Sequence, residues 1–294
     1  MTTANSTSTN WPELRAGALR LALRHDLGGV IAGLWPGDDA VMRSTEPGQL
    51  ERVRLGACYP LLPFSNRVGY RQFNWQGKTY HLQKNVDDSE HTLHGVAWQQ
   101  PWTVERHDES TASLLFSHAD TPEATALWPF PFDARQTFTL TAESLEVQLE
   151  VTNRASIAAP MGLGWHPYFP KRERSRLHAE LDHRWDSDET TLPVHRVEQP
   201  SLDSDISHLD FDNVFEGWVG SARIRDERLS LRLSSSLHCL VIYTPQTKPY
   251  FAVEPVSHVS NALNMPDPEA AGIRTLQPGQ TITAWMKLDV LDAK

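Results

Sequence analysis

Two residues able to carry protons stand in otherwise apolar stretches of the chain. His166 lies in GLGWHPYFP (residues 162–170), among Trp165, Tyr168 and Phe169, and Glu254 follows FAV in FAVEP (251–255). An imidazole and a carboxylate can each hold and release a proton near neutral pH once burial and neighbours set their pKa values. Together they could act as acid and base on a neutral small molecule. Either could equally be structural: a histidine between tryptophan and proline can satisfy a buried turn, and a glutamate after an apolar run can close a strand in an ion pair.

Other chemistries find less support. Among thirteen histidines there is no His-x-His pair and no His-Glu-x-x-His helix motif; His91 and His94 in HTLH are the nearest approach to ligand spacing. No Gly-x-Ser-x-Gly elbow, phosphate-binding glycine loop or dinucleotide fingerprint occurs. The expectation is an activity without metal or nucleotide cofactor.

The elements that must position these groups read as strands. In SLEVQLEVTN (144–153), Leu145, Val147, Leu149 and Val151 alternate with Glu146, Gln148, Glu150 and Thr152, the period of a half-buried strand. ARIRDERLSLRL (222–233) reads as a hairpin. ALRLALRHDLGG, SLLFSH, RQTFTLTA and ITAWMKLDVL add further strand-like runs. Twenty prolines and sixteen glycines interrupt most candidate helices. Short strands between turn-rich loops predict an all-β chain: one large antiparallel β-sandwich over residues 11–294, after a mobile tail at 1–10.

The net charge of −10, from 27 basic and 37 acidic residues, disfavours nucleic acid and anionic membranes as general partners. No apolar run of about 20 residues could span a bilayer. The first residues lack the pattern of a secretory signal. Two distant cysteines, Cys58 and Cys239, cannot build a disulfide framework and suit a cytoplasmic protein. The oligomeric state stays open.

Five stretches, in order, resemble the galactose mutarotase-like aldose 1-epimerases: FSNRV (64–68), LHG (93–95), GLGWHPYF (162–169), DNVF (212–215) and VEPVSHVSNALN (253–264). The resemblance spans about residues 20 to 290. It implies a β-sandwich of the galactose mutarotase type that interconverts the α and β anomers of a free pyranose without a cofactor. It further implies Glu254 as general base and His166 as general acid, with Arg67, His94 and Asp212 binding sugar hydroxyls. Asp210 would share the face of Asp212 if the segment were strand. Trp165, Phe215 or Trp218 could pack on the apolar face of the sugar, or in the core. The run HGVAWQQPW and the presence of His258 look more like a divergent bacterial branch that includes mutarotases for sulfoquinovose. A sulfonate would call for cations, and Arg71 and Lys171 are the candidates. Hexose 6-phosphates, or a galactose- or glucose-like neutral hexose, are the other substrates the resemblance allows. A sugar-binding protein that has lost the chemistry is the alternative reading. The rest of KRERSR (171–176), with Arg172, Arg174 and Arg176, reads as a solvated loop.

Overall fold

Residues 11–291 are described by a computed structural model; the expected tail at 1–10 lies outside them. The strand read at 144–153 forms as Ser144–Asn153, with Leu145, Val147, Leu149 and Val151 buried and Glu146 and Gln148 exposed. Fully burying each such side chain stabilises the fold by roughly 1.5–3 kcal/mol. Its neighbours are Phe132–Leu140 and Thr281–Leu291, and all three belong to a nine-stranded antiparallel sheet. The hairpin forms as Ser221–Arg225 and Ser230–Ser235, with Ile224 opposite Leu231. Asp226 makes the turn by accepting from the backbone N–H groups of Arg228 and Leu229 at 2.7 and 2.9 Å.

A second, eight-stranded sheet runs in the order Pro193–Glu198, His183–Ser187, Asp212–Glu216, Cys239–Tyr243, Tyr250–Val256, Gly164–Trp165 and Pro60–Leu61, with Tyr168–Pro170 also paired to Tyr250–Val256. Buried apolar residues from both sheets join in one hydrophobic cluster, with Trp128, Trp165, Trp218 and Phe215 among its fully buried side chains. The only α-helix among the described residues is Pro122–Leu127, begun by Thr121, whose hydroxyl accepts from the Ala124 N–H. No described helix is long and apolar enough to cross a membrane.

The register of the eight-stranded sheet gathers one set of side chains on one face. Val241 lies opposite Glu254, Tyr243 opposite both Ala252 and Asp212, and Tyr168 opposite Ala252. Because side chains alternate along a strand, Tyr250 and Glu254 project from the same side, beside Val241, Tyr243 and Asp212.

Candidate active site

That face forms the floor of a cavity of about 370 Å³, walled by residues 54–67, 88–94 and 166–168. The wall carrying Asn66 and Arg67 is locked to the turn carrying His94 by reciprocal bonds. The Asn66 N–H donates to His94 Nδ1 at 3.1 Å, and the His94 N–H donates to the Asn66 carbonyl at 2.8 Å. Asn66 and His94 both have φ in the left-handed region, at 54° and 60°. Gly95, at φ 70°, follows because a Cβ there would sit 1.9 Å from the Leu62 carbonyl oxygen. With Nδ1 accepting, a neutral His94 carries its proton on Nε2, so its ring presents a donor. Arg67 is aimed by Asn66 Oδ1 at 2.8 Å and by Asp212 Oδ2 at 3.3 Å. Asn66 Oδ1 also accepts from the Ser260 hydroxyl at 3.0 Å.

At the base of the cavity His166 Nε2 lies 3.2 Å from Glu254 Oε1, with both side chains almost wholly buried. The Tyr168 hydroxyl is 3.3 Å from the same nitrogen, and the Tyr59 hydroxyl is 3.3 Å from that of Tyr168. Burial pushes Glu254 well above the usual carboxylate range; the nearby Asp212 charge adds to this and Arg67 opposes it. Burial, then His94 and the Arg43 and Arg54 charges, hold His166 well below the usual histidine range. Both groups are driven toward neutrality. The pair is thereby drawn toward a neutral imidazole beside a protonated carboxyl, the two atoms 3.2 Å apart. Burial and the Arg67 charge also keep His94 neutral.

Of the residues singled out in the sequence, His166, Glu254, Arg67, His94 and Asp212 line this cavity. Asp210 does not, because the strand begins only at Asp212. Three others lie elsewhere. Trp165 is 1% exposed in the core, since adjacent strand residues point to opposite faces and His166 takes the cavity side. Arg71, with φ 62°, is exposed on the far side of a short turn. Lys171 is spent on the Pro245 carbonyl, to which its Nζ donates at 3.2 Å. Phe215 and Trp218 pack in the core. His258 is a buried tie: Nε2 accepts from the Ser65 N–H at 3.0 Å and Nδ1 donates to the Val259 carbonyl at 2.7 Å. Sequence reasoning missed Tyr59, Tyr243, Tyr250 and Arg54 as lining groups, and Tyr168 in any role but an aromatic neighbour. Only Tyr168 carried a signal, as the residue two after His166, at the start of the strand that follows it.

A second cavity of about 380 Å³ lies on the outer face of the nine-stranded sheet, near Arg176, Arg223 and Arg232. Arg176 pairs there with Asp203 and Asp205, and Arg232 with Asp289. It holds solvated cross-strand ion pairs and no buried acid–base pair, so the chemistry belongs to the first cavity. Among the described residues no group of three or more His, Cys, Asp or Glu could hold a metal ion.

Comparison with known proteins agrees with the fold. A family model described as aldose 1-epimerase matches residues 13–289. The uncharacterized protein YphB of Escherichia coli (strain K12) is 32% identical over 295 residues, covering 94% of this chain and 97% of that one. A galactose mutarotase-like protein from Clostridium acetobutylicum superposes with a TM-score of 0.86 at 20% identity, over 96% of this chain and 95% of that one. A GalM/aldose epimerase homologue from C. elegans gives 0.82 at 17% identity, over 97% and 99%. At those identities the two structures speak to the fold alone.

Proposed function

The chain belongs to the aldose 1-epimerase family, and from that premise we propose that it interconverts the α and β anomers of a free pyranose, using His166 and Glu254. The observation that carries this reading is the buried 3.2 Å approach of His166 Nε2 to Glu254 Oε1 at the base of a cavity of sugar-binding size. One proton hop across that gap converts neutral imidazole and protonated carboxyl into imidazolium and carboxylate. In the second form Glu254 takes the proton from the anomeric hydroxyl O1 while His166 gives one to the ring oxygen O5. The C1–O5 electron pair leaves with O5, and a lone pair on O1 closes the C1=O bond. Ring opening thus returns the pair to neutral imidazole and protonated carboxyl. The open aldehyde rotates about C1–C2 and recloses from its other face as both protons run back. No electrons or groups are exchanged with another molecule.

Arg67 and His94 Nε2 supply donors for sugar hydroxyls, and Asp212 accepts from them. The rings of Tyr59 and Tyr250 offer surface to the apolar face of the sugar. A neutral hexose such as galactose or glucose suits this set. One observation favours a second reading, an anionic hexose bearing a sulfonate or phosphate: of the two arginines lining the cavity, Arg67 pairs with Asp212 at 3.3 Å, whereas Arg54, 41% exposed, is only loosely paired with Asp88 at 3.9 Å. Residues 11–294 are read as one domain acting in the cytoplasm; its cysteines are free thiols.

The test is magnetisation exchange between α and β anomer signals, across neutral, sulfonated and phosphorylated hexoses. Acceleration with one class and not the others assigns the substrate, and an anionic preference lost in Arg54→Gln supports the second reading. Binding without acceleration for every sugar would replace the enzyme by a sugar-binding protein.

A further inference from the structure

Arg43 is a cation of unusual situation. Its polar partners among the described residues are the backbone carbonyls of Arg54 and Gly56, not a carboxylate, and its Nε has no partner. Its guanidinium carbon lies 3.7 Å from the ring centre of Tyr168 and 4.4 Å from that of Tyr250. The other face of Tyr168 stacks on His166 at 4.3 Å with 25° between the planes. The Arg43 N–H also donates to the Tyr168 carbonyl at 2.8 Å, which fixes the register of the two segments. Guanidinium, phenol and imidazole thus form an ordered stack ending at the nitrogen beside Glu254. Tying down residues 54–56 accounts for the carbonyl contacts. It does not account for a charge without a counter-ion seated behind the candidate acid.

We propose that Arg43 is a positioning residue for proton transfer: stacked behind the Tyr168 ring, its fixed charge biases the His166 imidazole toward giving up a proton, so that one reaching it during turnover is passed to the sugar ring oxygen. This rests on the acid–base reading of His166. The other groups facing that imidazole are Glu254 from strand Tyr250–Val256, Tyr59 from the segment before Pro60–Leu61, His94 from the 92–95 turn, and Arg54 at the rim. Among them only Glu254, in its ionised form, favours the imidazolium. Arg43 counters it from beyond the Tyr168 ring, and the two hold the proton near the balance point needed for both opening and closure.

The test follows the imidazole nitrogen signals of His166 by NMR in the free protein, beside the pH dependence of kcat/KM, for wild type, Arg43→Gln and Arg43→Lys. A unit charge within about 8 Å, in a medium of effective dielectric about 20, moves a titration by about one and a half pH units. In Arg43→Gln the His166 midpoint and the acid limb of kcat/KM should both rise by about that amount; Arg43→Lys, which keeps the charge, should restore both. Superimposable titrations for Arg43→Gln and wild type would overturn the proposal, whatever the loss of stability, as would an Arg43→Lys curve matching Arg43→Gln. The wild type gives an answer even if Arg43→Gln does not fold: its His166 must titrate well below the ordinary histidine range, and an ordinary histidine midpoint refutes the inference. The titration needs no turnover, so it stands apart from whether the protein is a mutarotase.

Discussion

His258 is wholly enclosed, accepting from the Ser65 N–H and donating to the Val259 carbonyl. Burial lowers its pKa from 6.5 to about 4. Protonation would turn Nε2 from acceptor to donor, facing an N–H group. The unfolded chain therefore binds this proton first, and the tie's stabilising contribution is complete above pH 6.5 and lost as pH falls toward 4. Between pH 7 and pH 5 the linkage removes about 2 kcal/mol, taking about 1.4 kcal/mol per pH unit for one proton. Three other buried histidines, His94, His118 and His166, are lowered as well, so the difference between two proteins carries the number. His258→Gln offers both an acceptor and a donor and does not titrate. Urea unfolding at the two pH values should show the variant losing about 2 kcal/mol less than wild type. Parallel losses in the two proteins would refute this reasoning and move the acid lability elsewhere. The same tie anchors the wall that carries Asn66 and Arg67, so wild type should bind sugar less well as it fails.

Mutarotation should be bell-shaped in pH, since the His166–Glu254 pair works with one shared proton: kcat/KM should fall on an acid limb lying well below the usual histidine range as a second proton is added, and again on an alkaline limb well above the ordinary carboxylate range. A flat profile from pH 4 to 9 would contradict it. Asp212→Asn removes a charge that raises Glu254, so the alkaline limb should move to lower pH and KM should rise. Its half-exposed ion pair with Arg67 is worth under about 1 kcal/mol, so urea unfolding should barely change. Gly95→Ala must push Cβ against the Leu62 carbonyl at positive φ and should cost more than about 2 kcal/mol in the same assay; an unchanged midpoint would show that the turn is slack.

Strands were legible where one face is buried and the other wet, as in Ser144–Asn153 and the 221–235 hairpin, because alternation records that division directly. The strand Tyr250–Val256, buried on both faces beyond Tyr250, shows no alternation, and its register with Cys239–Tyr243, which brings Val241 and Tyr243 beside Glu254, had no trace in the sequence. Within the site, the ordered motifs pointed to five lining residues. They misdirected the search for a cation: Arg71 and Lys171 are near the motifs in sequence, but a positive φ turns one outward and a carbonyl holds the other. Arg54 and Arg43 come from a segment with no motif, and folding alone brings them to the wall. Trp165 was the avoidable case, since a strand neighbour of His166 must face the other way.

The central claim is that His166 and Glu254 move protons on a bound sugar. It is tested most directly by anomer exchange measured by NMR at saturating sugar, in wild type and in Glu254→Gln, with sugar binding followed in parallel. Wild type should accelerate exchange, and Glu254→Gln should lose about 10²–10⁴-fold of that rate while still binding sugar. Undiminished exchange in Glu254→Gln, or none in wild type with any hexose it binds, would contradict the claim.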